Sequence, residues 1–197
     1  MPYEFKFSVD GHKRFVGTLQ VDTCVHVNQK SHHRCKRRVS IGVPYCWQHM
    51  QVDKHLKIKA STIPGAGKGL YAYDGTKNSG KVVFKPKQLI ADYDGEHISK
   101  AVLVSRYGSH TAPYGAQLTK DTYEDGALRR GIGTLPNHST SRFTNAELIV
   151  GRTGGRPEVK VRATKNIRSD KEVLVSYGRA YKMSEGTTHT TTRKRRS

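Results

Sequence analysis

The sequence predicts a mostly β domain with a few short helices, and three observations lead to this expectation. Short runs of alternating apolar and polar residues recur along the 197-residue chain, as in half-buried strands. Glycine-rich connections separate these runs, which is typical of turns between strands. A 3.6-residue apolar repeat is scarce, and its best example is residues 99–107, around Ala101–Val104. We therefore expect a β-rich α+β fold.

The first element is a predicted β-hairpin. Apolar residues alternate with polar ones from Tyr3 to Val9, and apolar positions recur from Phe15 to Val21. Between them, Asp10-Gly11 is a dipeptide that favours the two-residue turn joining antiparallel strands.

Residues 22–55 predict a structural zinc site. They hold all three cysteines, Cys24, Cys35 and Cys46, with ten residues between successive ones. Three thiols cannot all form disulfides, whereas Cys46 and His49 form a Cys-x-x-His turn that the other two cysteines complete to a tetrahedral Cys3His set. This segment has few apolar residues, so a metal would supply folding free energy. The alternative is three unconnected thiols in a basic loop.

Residues 56–181 contain the remaining strand-like runs and predict the main domain. The clearest runs are Lys57–Ala60, Lys81–Phe84, Glu158–Val161 and Glu172–Val175. Residues 182–197 are threonine-rich and basic with few apolar side chains, so they predict a disordered tail. The expected organisation is a hairpin and zinc-knuckle region over 1–55, one domain over 56–181, and the tail.

The net charge of +19 and the pI near 10.0 predict attraction to polyanions such as nucleic acid. Arg34, Lys36, Arg37 and Arg38 cluster around Cys35, which suits phosphate contact or a plain solvated face. The run Arg193–Arg196 is typical of a nuclear-import or polyanion-binding signal. No run of about 18 apolar residues and no apolar leader is found. We expect a soluble intracellular protein without a membrane partner.

Three short motifs of the main domain carry the functional prediction. In Gly65–Leu70 alternate glycines permit close approach of the backbone to a ligand, although turns use the same residues. The tripeptide Asn137-His138-Ser139 alone also has turn composition. The last strand-like run ends at Tyr177, which is followed by Gly178 and, three positions further, by Tyr181.

In this order and at these separations, the motifs resemble the signature of the SET-domain protein lysine methyltransferases. Gly67–Ala72 is similar to the segment that opens the family domain, and Tyr93–Glu96 is similar to its Tyr-x-Gly-Glu motif. Asp125 precedes Asn137 by the family's twelve positions. Glu172–Tyr177 is similar to the strand that ends in the catalytic tyrosine. The resemblance covers residues 56–181 and suits a compact viral or microbial member.

The resemblance implies a SET-domain fold in which the Asn-His-Ser and tyrosine segments meet in a knot-like C-terminal crossing. It implies protein lysine N-methylation with S-adenosyl-L-methionine as cofactor and Tyr177 as the catalytic residue. The cofactor would bind Gly67, Lys68, Gly69, Leu70, Asn137, His138 and Tyr177, and the lysine channel would contain Tyr93, Tyr114 and Tyr181.

The expected substrate is a histone or another lysine-rich protein, with nucleosomal DNA as a second partner through the basic surface. This places the protein in the nucleus or on chromatin, in the host cell if it is viral or bacterial. A dimer is compatible with the sequence. Because a basic enzyme repels a basic peptide, we expect an acidic groove beside the channel, formed by Asp92, Asp94, Glu96, Asp121, Glu124 and Asp125.

Some positions depart from the family pattern. Thr134-Leu135 stands where most members have Arg-Phe, and Thr140 stands where they have cysteine. No cysteine follows Cys46, so we expect no zinc-bearing cap after the domain. Two functional hypotheses follow. The first is a lysine methyltransferase, and the second is a non-catalytic chromatin- or nucleic-acid-binding module on a SET-like scaffold.

Overall fold

The structure is a computed structural model that describes residues 3–77, 79–108, 112–140, 142–178 and 187–193. Strands dominate these residues, as the sequence predicts. The strands are β1 (Tyr3–Val9), β2 (His12–Thr18), β3 (Leu56–Ala60), β4 (Lys68–Ala72), β5 (Val82–Phe84), β6 (Leu89–Asp92), β7 (Glu96–Ser99), β8 (Gly115–Gln117), β9 (Thr122–Asp125), β10 (Asn137–His138), β11 (Ala146–Thr153), β12 (Arg156–Ala163), β13 (Ile167–Arg168), β14 (Leu174–Val175) and β15 (Thr187–Arg193). The helices are α1 (Trp47–Lys54), α2 (Lys100–Tyr107) and a 3-10 turn at Ile132–Thr134.

The predicted N-terminal hairpin is confirmed. Strands β1 and β2 pair antiparallel, and both turn residues have positive φ, 50° at Asp10 and 74° at Gly11. This is the backbone that a tight two-residue turn requires, and glycine and aspartate tolerate it best. Phe5 and Phe7 point away from solvent and pack with Leu103 and Tyr107 of α2.

The disorder predicted for the tail is wrong for residues 187–193, the part of it that the structure describes. Thr187–Arg193 forms strand β15, which pairs along the whole of β1, from Tyr3 opposite Arg193 to Val9 opposite Thr187. The hairpin therefore becomes the three-stranded sheet β15-β1-β2. A polar strand can be ordered in this way because its backbone hydrogen bonds, rather than an apolar face, hold it to the neighbouring strand.

The main domain is built from small sheets, and all of them except β7-β9-β8 contribute to one large core. Their strand orders are β11-β12-β6, β7-β9-β8, β3-β4, β13-β5 and the parallel pair β10-β14. Leu56, Leu70, Val161, Val173 and Val175 are fully buried in this core. Val43 and Met50 belong to the same cluster, so the zinc-knuckle region packs directly on the main domain.

Both helices are short. The expected helix at 99–107 is confirmed as α2, where Ser99 Oγ accepts a hydrogen bond from the Val102 N–H (3.3 Å) and Gly108, with φ of 70°, ends the helix. Helix α1 was not predicted, because its residues, which follow directly on Cys46, are only weakly amphipathic. Among the described residues, neither helix has the length and apolar character needed to cross a bilayer.

Candidate functional site

The four predicted metal ligands converge in space. Their ligand atoms, the thiol sulfurs of Cys24, Cys35 and Cys46 and a ring nitrogen of His49, all lie within 4.8 Å of one another. His49 Nδ1 is 3.3 Å from the Cys24 sulfur and 3.4 Å from the Cys46 sulfur. Zinc bonds of about 2.0–2.3 Å to nitrogen and sulfur place tetrahedral ligands at about such separations. The donor set and its spacing therefore fit a four-coordinate zinc ion.

The surroundings of these ligands support a closed site. Cys24 and Cys46 are fully buried with Val39. The ring of His26 stacks on His49 with centroids 3.7 Å apart, and His26 Nδ1 lies 2.6 Å from an Asp53 carboxylate oxygen. With all four coordination positions taken by protein, a bound metal would be structural rather than catalytic.

The two segments carrying the other motifs meet at a parallel strand pair. In β10 and β14, Asn137 lies opposite Leu174 and His138 lies opposite Val175. Asn145 supports this crossing, because its side chain donates to the Glu172 carbonyl (2.8 Å) and accepts from the Leu174 N–H (2.9 Å). The two segments therefore meet as the resemblance predicts, and Tyr177 lies two residues beyond the end of β14.

Glu172 lies beside this strand pair, and its role was not predicted from the sequence. The residue is 6% exposed, and its carboxylate accepts hydrogen bonds from the Ser61 hydroxyl (2.7 Å), the Thr62 N–H (2.7 Å) and the Asn137 amide (3.2 Å). Burial raises the pKa of Glu172, but the hydrogen bonds from Thr62, Ser61 and Asn137 outweigh it and hold the pKa below its ordinary value. The carboxylate thus ties the glycine-rich loop to Asn137.

Replacing Glu172 with glutamine should make stability less dependent on pH. Because the folded-state pKa is lowered, the carboxylate stabilises the protein above its unfolded pKa near 4.5 and loses that effect as pH falls through the folded value. In Glu172→Gln an amide N–H faces donors of Thr62 or Ser61, which should cost about 2–4 kcal/mol of unfolding free energy near neutral pH. Urea unfolding at pH 7 and pH 3 measures both quantities. An equal difference between wild type and variant at the two pH values would contradict this assignment.

The Glu172 carboxylate leaves no room for a side chain at position 69, where the sequence has glycine. A Cβ at this position would overlap Glu172 Oε1 and come within 3.3 Å of the Asn137 amide nitrogen. We expect Gly69→Ala to lower the unfolding free energy by about 1–3 kcal/mol, since the overlap forces these buried groups apart. Thermal unfolding measures the effect. Gly67→Ala is the contrast, because a Cβ there meets no atom within 4 Å and only the positive φ of 72° opposes it. Equal losses in the two variants would contradict the steric explanation.

A first cavity, of about 600 Å³, lies beside the glycine-rich loop. We call it the loop-side cavity. Its lining combines the two motif segments with Tyr177 and part of strand β15, and it includes Gly65, Ala66, Gly67, Lys68, Tyr114, Arg130, Thr134, Asn137, His138, Tyr177, His189 and Thr191. The volume is within the range of about 300–1,000 Å³ typical of small-ligand sites. Neither aspartate nor glutamate is among its described lining residues, whereas Lys68 and Arg130 are.

A second cavity, of about 360 Å³, lies on another side of Tyr177. We call it the channel cavity. Tyrosine rings and aliphatic side chains line it, including Tyr93, Tyr123, Leu148, Val150, Val159 and Tyr177. Pro113, Thr134 and Tyr177 line both cavities and therefore form the partition between them. The Tyr177 hydroxyl is fixed in this partition by donating to the Pro136 carbonyl (2.9 Å).

The predicted cofactor and channel residues divide between these cavities with some differences. Gly69 and Leu70 were expected at the cofactor, but neither lines either cavity; both belong to β4, where the Leu70 side chain is buried in the core. Tyr93 lies in the channel cavity, and its hydroxyl donates to the Tyr114 carbonyl (2.6 Å). Tyr114 lies in the loop-side cavity instead, because its ring packs on Phe5 and under Arg130. Tyr181 lies outside the described residues.

The predicted acidic groove is not formed. Glu124 and Asp125 are fully buried. Asp125 accepts from the Tyr107 hydroxyl and forms an ion pair with Arg106 (2.7 Å), and Glu124 accepts from two backbone N–H groups. Three more of the predicted carboxylates form ion pairs, Asp92 with Lys160, Asp94 with Arg129 and Glu96 with Arg106. Asp121 remains exposed. Glu124 and Asp125 are thus used inside the fold, Asp92 and Asp94 form ion pairs at the surface, and no described residue lining the channel cavity is acidic.

The positions that depart from the family pattern are accommodated locally. Thr134 is buried, and its hydroxyl donates to the Gly131 carbonyl (2.8 Å). Leu135 joins the main apolar core. The partition therefore contains a satisfied hydroxyl at the position where a charged side chain was expected.

Comparisons with known proteins support the fold. No protein-family model matches the sequence, and no curated protein matches it. A crystal structure of the polycomb repressive complex 2 of Chaetomium thermophilum is similar to 65% of this chain, with a TM-score of 0.54 and 21% identity. The same complex in an autoinhibited conformation bound to S-adenosylmethionine is similar to 65% of this chain, with a TM-score of 0.53 and 21% identity. A structure of this complex with H3K27me3 and H3K27M is similar to 64% of this chain, with a TM-score of 0.51 and 21% identity.

The matches span 16%, 16% and 14% of the lengths of those chains, respectively. At this level of identity the likeness concerns the fold alone. It supports the predicted β-rich fold class, since this chain is likewise mostly β.

Proposed function

We propose that this protein is a protein lysine N-methyltransferase that uses S-adenosyl-L-methionine and acts on a histone or another lysine-rich protein. The observation that carries the proposal is the pair of cavities that share Tyr177 as a common wall. One lies beside the glycine-rich loop and has Lys68, Asn137 and His138 in its lining, and the other is a smaller cavity lined with tyrosines. A cofactor and a lysine side chain bound in them would meet at Tyr177.

The loop-side cavity has the features that this cofactor requires. Gly65 and Gly67 have φ of 77° and 72°, and no protein atom lies within 4 Å of where their Cβ atoms would be, so a ligand can lie against the backbone. Asn137 and His138 line the cavity from β10. When bound, S-adenosylmethionine supplies an electrophilic methyl group on a sulfonium. Lys68 and Arg130 would attract the carboxylate of its amino acid portion.

The channel cavity has the features that the lysine requires. A lysine amine is more than about 99% protonated at neutral pH, and the ammonium has no lone pair for attack on a methyl group. Apolar walls such as Val150 and Val159 favour the neutral amine by desolvation. The rings of Tyr93 and Tyr123 would cover the aliphatic stem and stabilise the cationic end before the proton leaves. The Tyr177 hydroxyl, held by the Pro136 carbonyl, would orient the amine in line with the methyl group.

The test is transfer of isotopically labelled methyl from S-adenosylmethionine to core histones and to nucleosomes, with mass spectrometry to locate the mark. Binding of S-adenosylhomocysteine is measured by calorimetry in parallel. We expect cofactor binding and label on lysine. Cofactor binding without label on histones would indicate that the substrate is another lysine-rich protein. Absence of both would favour the second hypothesis, a non-catalytic binding module on a SET-like scaffold.

The proposal includes DNA as a partner through the zinc knuckle. Lys36 and Arg38 are exposed beside Cys35, and Arg37 bonds to Gln48 of α1, where Trp47 is 67% exposed. Because the channel side lacks an acidic groove, binding to nucleosomal DNA would hold the enzyme near a basic histone tail despite charge repulsion. A nuclear or chromatin location would follow from this binding.

We expect the double variant Lys36→Ala, Arg38→Ala to weaken binding to duplex DNA in a salt-dependent way. Removal of each phosphate contact should reduce the slope of log Kd against log salt by about 0.9. Fluorescence anisotropy between about 50 and 200 mM salt measures the slope. Lys120→Ala, which replaces an exposed lysine outside the knuckle, is the control. A slope unchanged from wild type would exclude the knuckle as the DNA-binding surface.

A further inference from the structure

The strand β15 lies against the loop-side cavity as well as against the hairpin. His189 and Thr191 line that cavity together with residues of the motif segments. In the register of β1, His189 pairs with Phe7 and Thr191 pairs with Phe5. Because alternate residues of a strand point to the same side, His189 and Thr191 share one face of β15. Thr191 is half-buried there, and His189 keeps an exposed surface beside the open cavity.

Contacts with neighbouring residues hold this face of β15 in place. The His189 ring lies edge-on to the Tyr114 ring, with centroids 5.5 Å apart. The Thr191 hydroxyl is 3.4 Å from both terminal nitrogens of Arg130. Arg130 is 2% exposed and donates to the carbonyls of Ile41, Gly126 and Ala127. The Arg130 guanidinium also lies 4.3 Å from the centre of the Tyr114 ring.

Arg130 is a cation with no carboxylate partner within ion-pair distance among the described residues. Its hydrogen bonds go to carbonyl and hydroxyl oxygens, so its charge is not neutralised there. A buried cation beside a cavity favours an anionic group in that cavity. Strand β15 thus brings an aromatic ring to the cavity and also supports the arginine that lines it.

We propose that strand β15 forms one wall of the cofactor site, with His189 in contact with the bound cofactor and Thr191 positioning Arg130 toward its carboxylate. This inference rests on the proposed function, because it names further residues for the same site. It assigns a binding role to a segment outside the region that resembles the SET family, residues 56–181. The N-terminal hairpin is then part of the site too, because its strand β1 pairs with β15 and holds it in place.

The test is calorimetric binding of S-adenosylhomocysteine to the full-length protein and to single variants. We expect His189→Ala to weaken binding about tenfold and Thr191→Val about fivefold, which correspond to the loss of one ring interaction and of one hydrogen bond. Thr192→Val is the matched control, since it makes the same chemical change at an exposed position on the opposite face of β15 and should bind as wild type does. Thermal unfolding of each variant verifies that the fold is kept.

A second measurement uses the wild-type protein itself. The ring-proton NMR signals of His189, assigned by their absence in His189→Gln, should shift when S-adenosylhomocysteine is added. The inference would be overturned if the wild-type protein binds S-adenosylhomocysteine without a shift of the His189 signals, and if His189→Ala and Thr191→Val bind it with unchanged affinity. The proposed function would then remain intact. A wild-type protein that binds no S-adenosylhomocysteine would overturn both.

Discussion

We expect Cys46→Ala to abolish zinc binding at the proposed Cys3His site and to unfold the knuckle. Cys46 and His49 supply two of the four converging ligands, and residues 22–55 contain few apolar side chains, so metal binding is expected to be a main source of their folding free energy. We expect the unfolding free energy of the whole protein to fall by more than about 4 kcal/mol, an effect typical of the loss of a structural metal. Metal analysis and urea unfolding measure the two effects.

Unfolding of the knuckle should also disturb the loop-side cavity. Ile41 lines that cavity, and its carbonyl accepts from Arg130 (3.0 Å), while Val43 and Met50 belong to the main core. Cys46→Ala and chelation of the wild-type protein should therefore both weaken cofactor binding. His33→Ala, which replaces an exposed histidine outside the ligand set, is the control. Wild-type protein that contains no zinc and unfolds as Cys46→Ala does would contradict the metal site.

Tyr177→Phe should abolish most methyl transfer and leave cofactor binding nearly unchanged. The ring would still separate the two cavities, so we expect the affinity for S-adenosylhomocysteine to change by less than about twofold. The hydroxyl that this variant removes is the group proposed to orient the lysine amine. Removing one such preorganised polar group typically lowers kcat by about 10²–10³. Single-turnover transfer of labelled methyl measures the rate of the chemical step.

Tyr73→Phe is a matched control for this experiment. The Tyr73 hydroxyl also donates to a carbonyl, that of Gly75 (2.9 Å), but Tyr73 does not line either cavity. Its removal should leave the rate unchanged. Equal rates for Tyr177→Phe and wild type would exclude the Tyr177 hydroxyl from the reaction and would require another group at the partition.

Local patterns in the sequence predicted the elements whose determinants are local. The β-hairpin follows from alternation and from Asp10-Gly11, and α2 begins at its own capping residue, Ser99. The converging Cys3His cluster could be identified because cysteine has few other roles in such a segment. The position of Tyr177 next to Asn137 and His138 came from family resemblance rather than from the residues alone.

The features missed from the sequence depend on distant partners. Glu172 resembles an ordinary polar strand residue until Thr62, 110 positions away, is seen to donate to it. Asp125 and Glu124 resemble surface carboxylates because burial of charge is visible only with Arg106 and the backbone donors in place. The threonine-rich residues of β15 lack an apolar pattern, and their order comes from backbone pairing with β1.

The pairing of β1 with β15 also constrains the order in which the protein can fold during synthesis. Tyr3 and Arg193 are partners 190 residues apart in the chain. At about 5–20 residues per second, a ribosome makes the second strand roughly 10–40 seconds after the first. During this interval β1 has an unpaired edge, which is prone to association with other chains. The three-stranded sheet and the cavity wall that it carries would therefore be completed last.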